Sequence, residues 1–256
     1  MNSLVSFKQL GRQLRQPFNA WYAFRRLREY HREPRSLEDV IHWAMHFGGG
    51  GSMRVKTMQI PSEILGLARA VAAIKPRIIL EIGTASGGTA LIWSYLAKER
   101  VITCDLIDMT YQAPLFTRFP PSGSDCRVNL LSGNSHDPEF KARVKQILNG
   151  DLVDFLFIDG DHTEAGVTAD YEDYREFVRP GGLIAFHDIL QNQPLPTNQV
   201  FYLWQRLKKV AVVQEFVTPD NHCGFGIGLV HVPEQGAPPP GPKKQAHQHN
   251  GVEKKA

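Results

Sequence analysis

Two short stretches carry groups able to do chemistry together. "FIDGDH" (157–162) presents Asp159, Asp161 and His162 directly after an apolar run, and "AFHD" (185–188) presents His187 and Asp188 after another. Strands that end side by side in this way bring carboxylates and imidazoles onto one rim. Carboxylate oxygens suit a hard cation such as Mg²⁺, which usually keeps several waters or substrate oxygens in its shell. A cation between Asp159 and Asp188 would grip vicinal hydroxyls and lower the pKa of one of them. His162, three residues past Asp159, is then placed to take that proton as a general base. An imidazole ligand at His187 would favour a borderline ion, Mn²⁺, Fe²⁺ or Zn²⁺, over Mg²⁺. The plainer alternative is that Asp161 and His162 cap the helix beginning near Glu164, and that His187 is an internally satisfied histidine.

Three further clusters follow apolar runs. In "LEIGTASGGTA", Gly83 closes one run while Gly87 and Gly88 open the next segment. Glycines there keep a turn tight and let a ligand approach the backbone. Ala85 stands where a dinucleotide fingerprint has its middle glycine, so this bend is either a cofactor turn or a plain strand-to-helix turn. Asp105 closes "VITCD" about twenty residues on, a place from which a carboxylate accepts ribose hydroxyls of a dinucleotide or another adenosine cofactor. In "SGNSHD" (132–137), Asn134 and Ser135 are placed either to hydrogen-bond an adenine edge or to cap the helix starting near Pro138.

These clusters require elements that hold them. Apolar, β-branched runs at 77–83, 101–106, 127–133, 154–160 and 182–188 alternate with amphipathic segments, the pattern of parallel strands covered by helices on both faces. The runs at 210–217 and 225–232 follow one another without a helix and predict an antiparallel addition at one edge. The expected fold class is therefore α/β, Rossmann-like, with a mostly parallel seven-stranded sheet. In such sheets ligands bind outside the carboxyl ends of the strands.

In order and spacing, "LEIGTASGGTALIW", "CD", "GNSHDPE", "FLFIDGDH" and "RPGGLIAFHDI" together resemble the class I S-adenosylmethionine-dependent methyltransferases. The narrower likeness is to the branch that groups metal-dependent sugar O-methyltransferases with cephalosporin-hydroxylase-like proteins, over roughly residues 59 to 231. The resemblance implies an O-methyltransferase acting on a hydroxyl of a small molecule or sugar, with S-adenosyl-L-methionine as cofactor and a divalent cation (Mg²⁺ or Mn²⁺) assisting. It implies that the turn of Glu81, Gly83, Thr84, Ala85, Ser86 and Gly87 holds the methionine part, Asp105 the ribose, and Asn134 with Ser135 the adenine side. Asp159 belongs to both the cofactor and the metal set, with Asp188 the second carboxylate ligand and His162 the base. Family members carry an acidic ligand immediately before the second Asp, where this chain has His187.

The ends differ in composition. Residues 1–52 are rich in Arg and aromatics, with no acidic residue before Glu29. Leu4, Phe7, Leu10, Leu14, Phe18 and Trp21 recur at helical spacing, and Pro17 predicts a break or the start of a second helix. Ser36 predicts an N-cap for "LEDVIHWAMHF", and "GGGGS" (48–52) a flexible joint. Three readings stand for this arm: a helical cap on the main domain, a transit-type leader, or a basic amphipathic surface for a membrane or acidic partner. Residues 53–231 form the expected main domain, and 232–256, rich in Pro, Gly, Lys and His, an expected disordered tail. The 256 residues carry a formal charge of +3, too small to argue for nucleic acid by itself. Cys104, Cys126 and Cys223 show no metal or disulfide spacing, which points to a reducing, cytoplasmic setting. A small-molecule acceptor is the expected partner, with peripheral membrane contact through the arm and a homo-oligomer both open. A NAD-dependent oxidoreductase and a non-catalytic scaffold of the same fold are the rival readings.

Overall fold

The computed structural model describes residues 7–219, 224–235 and 239. Seven strands form one sheet in the order β3-β2-β1-β4-β5-β7-β6. They are β1 (Ile78–Ile82), β2 (Arg100–Asp105), β3 (Arg127–Ser132), β4 (Val153–Ile158), β5 (Val178–His187), β6 (Val212–Phe216) and β7 (Ile227–His231). β1 to β5 pair in parallel, whereas β7 runs antiparallel between β5 and β6, one place in from the margin. β5 starts earlier than the "RPGG" stretch predicts, because Val178 already pairs with Val153 before a register shift.

The strands are apolar on both sides because helices cover both faces. Alternate residues of the central strands divide between two cores, with Ile79, Val101, Phe155, Phe157 and Leu183 on one face and Leu80, Ile82, Ile102, Leu156 and Ile184 on the other. The first face is covered by α1 (Phe7–Tyr30), α2 (Leu37–His46), α3 (Pro61–Ala73) and α4 (Gly88–Leu96), with the short α5 (Ala113–Phe116). The second is covered by α6 (Pro138–Leu148), α7 (Glu164–Tyr174) and α8 (Val200–Leu207).

The N-terminal arm is part of the first core. Ala23, Leu27 and Tyr30 of α1 and Val40, Ile41 and Ala44 of α2 are buried with Ile64 and Trp93 of the main domain. Ser36 caps α2 as its sequence predicts, in a reciprocal box with Asp39. Pro17 does not break α1, which runs continuously through it. Residue 17 is exposed, so water can take the carbonyl that proline leaves without a donor. The glycine run is not a loose joint either. Gly48 pairs with Val55 in a β-bridge, and a Cβ on Gly49 would lie 2.6 Å from the Met53 carbonyl oxygen. The run is glycine because the chain doubles back tightly there, with Gly48, Gly49 and Gly51 all at positive φ. Val232 and Pro233 still bond to β5 through Gly182 and Gly181, and most of the predicted tail lies outside the described residues.

Candidate functional site

The sheet's order reverses between β1 and β4, and a cavity of about 400 Å³ opens at the carboxyl ends of the strands there. Its glycine wall is built from backbone. Gly83 has φ +99°, and a Cβ on it would sit 2.0 Å from the carbonyl oxygen of Asp159, so β1 and β4 can end this closely only with glycine. Gly87, at φ +75°, starts α4 where a Cβ would run into the Phe116 ring at 2.1 Å. Ala85, exposed in the bend, takes φ +45°, a left-handed conformation that costs a residue with a Cβ roughly 1–2 kcal/mol.

Asp105 holds this bend from the tip of β2. Its Oδ2 accepts from the Ala85 N–H at 2.8 Å and its Oδ1 from the Ile107 N–H at 2.9 Å. Asp105 lines the cavity, as do Gly83, Ala85, Asn134, Ser135, Asp159 and His162. Asn134 uses its amide locally, donating to Asp137 at 3.2 Å and accepting from the His136 N–H at 3.0 Å. Ser135 donates to Asp170 at 2.7 Å. These two side chains are thus engaged with other groups of the protein, and Gly133 and His136 line the cavity beside them. Asp170, on α7, is fully buried; burial raises its pKa, and its Oδ2 has no hydrogen-bond partner.

Other predicted cofactor residues lie off the cavity lining. Glu81 is fully buried and turned the other way, accepting from the Trp93 indole N–H at 2.7 Å and from the Thr103 hydroxyl at 2.5 Å. Burial pushes its carboxyl up to about 7, against the hydrogen bonds that would lower it. Thr84 is likewise internal, its hydroxyl 2.5 Å from that of Thr103. Ser86 and Gly87 shape the bend without lining the cavity. The reason for Glu81 is the strand: both faces of β1 are buried, so its outward-looking carboxylate meets α4 rather than ligand space.

At the other end of the cavity the tips of β4 and β5 come together. Donor atoms of Asp159, His162 and Asp188 all lie within 4.8 Å of one another. Asp159 Oδ1 is 3.1 Å from His162 Nε2 and 3.2 Å from His187 Nδ1. Asp188 Oδ1 is 3.3 Å from His187 Nδ1, and its Oδ2 is 3.8 Å from His162 Nε2. Burial works to raise the Asp159 pKa, but the facing His187 and His162 outweigh it and hold it at about 2. Burial likewise works to lower His187, yet Asp159 and Asp188 push it up to about 9. Hydrogen bonding to Asp159 raises the pKa of His162 as well. His162 is the accessible imidazole, with its side chain 40% exposed against 6% for His187.

Three side chains that the sequence does not flag fix this geometry. Gln59 donates to Asp159 Oδ2 at 2.7 Å, Asn198 to Asp188 Oδ2 at 2.5 Å, and Gln193 to the Asp188 carbonyl at 3.0 Å. Gln193 matters because Asp188 sits at φ +63°, a strained conformation that its surroundings must impose. Gln59 precedes α3, and Asn198 belongs to the β5–α8 loop, so only folding brings them here. Asp161 instead turns to its own segment, accepting from the Thr163 N–H at 2.9 Å, and Thr163 rather than His162 caps α7.

Two hard carboxylates and an accessible imidazole nitrogen within 4.8 Å are a donor set that fits a divalent cation. The buried His187 touches both carboxylates from below, and its Nε2 has no partner.

A family model described as a methyltransferase domain matches residues 80–189, the span from β1 to the tip of β5. No curated protein sequence is significantly similar to the chain. Among solved structures, an O-methyltransferase from Bacillus cereus in complex with SAH is 21% identical with a TM-score of 0.51, the match covering 77% of this chain and 92% of that one. The O-methyltransferase TomG from Streptomyces achromogenes, in complex with SAM, is 15% identical with a TM-score of 0.53, covering 79% and 91%. The methyltransferase MycE of the mycinamycin biosynthetic pathway, in complex with Mg and SAH, is 16% identical with a TM-score of 0.51, covering 79% of this chain and 54% of MycE.

Proposed function

Taking the methyltransferase domain of residues 80–189 as the premise, we propose that this protein is an S-adenosylmethionine-dependent O-methyltransferase assisted by a divalent cation. The observation that carries the reading is a shared residue. Asp159 lines the cavity at the glycine bend and is also a member of the Asp159–His162–Asp188 group, so donor space and acid–histidine group are contiguous.

The methyl donor supplies an activated methyl on a sulfonium, so the difficult electronics are its own. The chain's work is to hold, align and deprotonate. The bend at Gly83 and Ala85 leaves room for the donor against backbone, and Asp105, already braced by two N–H groups, keeps lone pairs for ribose hydroxyls. Asp159 and Asp188 would hold the cation, which would favour the ionised form of a bound hydroxyl. Asp159 fixes the His162 ring through Nε2, which leaves Nδ1 as the atom that accepts the proton. Gln59 and Asn198 keep the two carboxylates aimed, and His187 balances their charge from the buried side.

Leu106 gives the cavity rim a 74% exposed apolar side chain, and Met58, Ile107 and Leu195 are 71%, 70% and 66% exposed on the segments beside Gln59, Asp105 and Asn198. This rim favours an acceptor with adjacent hydroxyls on an apolar body over a bare sugar. Calorimetry with S-adenosylhomocysteine, followed by methyl-transfer assays on catechol-type and sugar acceptors with and without Mg²⁺, tests the reading. Failure to bind S-adenosylhomocysteine defeats it outright, and metal-independent turnover removes the cation.

A further inference from the structure

The outer face of α1 takes no part in the core or in the site. Phe18 and Trp21 are 64% and 51% exposed, and their rings stack with centroids 5.9 Å apart. Arg25 lies over Trp21 at 5.7 Å, Arg28 continues the same exposed stripe, and Arg32 is exposed in the turn that follows α1. The opposite face, through Ala23, Leu27 and Tyr30, is fully engaged in the fold. The stripe is therefore the side of a fixed helix and not the loose end of one.

In sequence no acidic residue precedes Glu29, which Arg25 and Arg26 contact at 3.2 and 2.7 Å. Arg28 and Arg32 form no ion pair among the described residues. Beside them a groove of about 410 Å³ is lined by Phe24, Arg28, His31 and Arg118, an apolar floor under cationic walls.

We propose that this face seats the protein on an anionic phospholipid surface. Phe18 and Trp21 enter the boundary between headgroups and acyl chains, where amphipathic aromatic rings are favoured. Arg28, Arg32 and Arg118 meet the lipid phosphates, drawn by the negative potential of such a leaflet. Attachment is peripheral: among the described residues no helix is long and apolar enough to cross a membrane. A second copy of the chain fits this face poorly, since a two-fold contact would oppose the same arginines. Nucleic acid fits less well than lipid, because the rings stack on each other and under Arg25 and offer bases few open faces.

The test is co-sedimentation of the full chain with vesicles of phosphatidylcholine alone or of equal parts phosphatidylcholine and phosphatidylglycerol. The protein should pellet with the anionic vesicles, stay in solution with the neutral ones, and be released by high salt. The pairs Phe18→Ser/Trp21→Ser and Arg28→Glu/Arg32→Glu should each weaken binding at least about 10-fold with unchanged melting temperature. Absence of binding to anionic vesicles, or equal binding by wild type and both variants, overturns the proposal. It also falls if light scattering gives a dimer that Trp21→Ser dissociates, or if single-stranded RNA binds and vesicles do not compete.

Discussion

The two ends of the cavity are built from different materials. The bend after β1 is defined by missing atoms: a Cβ at Gly83 would meet a carbonyl at 2.0 Å, and one at Gly87 a phenyl ring at 2.1 Å. The tips of β4 and β5 are defined by charge, with two carboxylates answered by two imidazoles and two amide side chains. Shape therefore governs the glycine end and charge balance the acid–histidine end. Substitutions in the first should damage folding, and substitutions in the second should damage turnover.

The strongest trial of that division is Gly83→Ala. A Cβ cannot be placed without parting β1 from β4, so the variant should lose more than about 3 kcal/mol in denaturant unfolding or fail to accumulate folded. His162→Ala is the matching change at the other end. It should lower kcat by about 10²–10⁴-fold while leaving the unfolding midpoint close to wild type, because the ring is partly exposed. A loss of stability at His162 comparable to that at Gly83 would erase the contrast.

Glu81 sharpens it further, as a charge buried under the shape-defined end. Its carboxyl ionises near 4.5 when unfolded but keeps its proton to about 7 in the fold. Between these values the native state binds the extra proton, so stability falls as pH rises through that window, by up to roughly 3 kcal/mol. Glu81→Gln, which mimics the protonated form, should abolish this slope, and unfolding free energies measured across pH 4–8 (about the span of the window) would reveal it. A slope that persists in the variant would assign it to another group. The smallest effect is expected at Ala85, where the left-handed bend suits glycine better. Relief of backbone strain is opposed by the greater freedom of glycine in the unfolded chain, so Ala85→Gly should raise stability by no more than about 1 kcal/mol. A clear destabilisation would mean that the Ala85 methyl makes a contact worth more than the strain.

Several readings of the chain needed no coordinates. The seven strands, the Ser36 cap and the acid tips at Asp159 and Asp188 follow from local signals: apolar runs, capping residues and polar punctuation at strand ends. Pro17 and the glycine run read otherwise from sequence alone, since exposure and close packing decide what proline and glycine do. The surroundings of Glu81 depend on packing for a related reason. In a strand buried on both faces, alternation no longer separates the ligand side from the core side.

The one-dimensional chain thus determined which elements form, in what order, and that carboxylates and imidazoles would gather at the ends of two strands. The packed molecule decided the rest: that Gln59 and Asn198 would brace those carboxylates across 100 and 10 residues of chain, that His162 would stay reachable while His187 sank beneath it, and that α1 would close over the core with its aromatic stripe outward. The physical reason is range. Strand propensity, caps and turns are set by neighbours a few residues apart, whereas orientation, burial and the balance of charges depend on partners that only the folded sheet brings within a few ångströms.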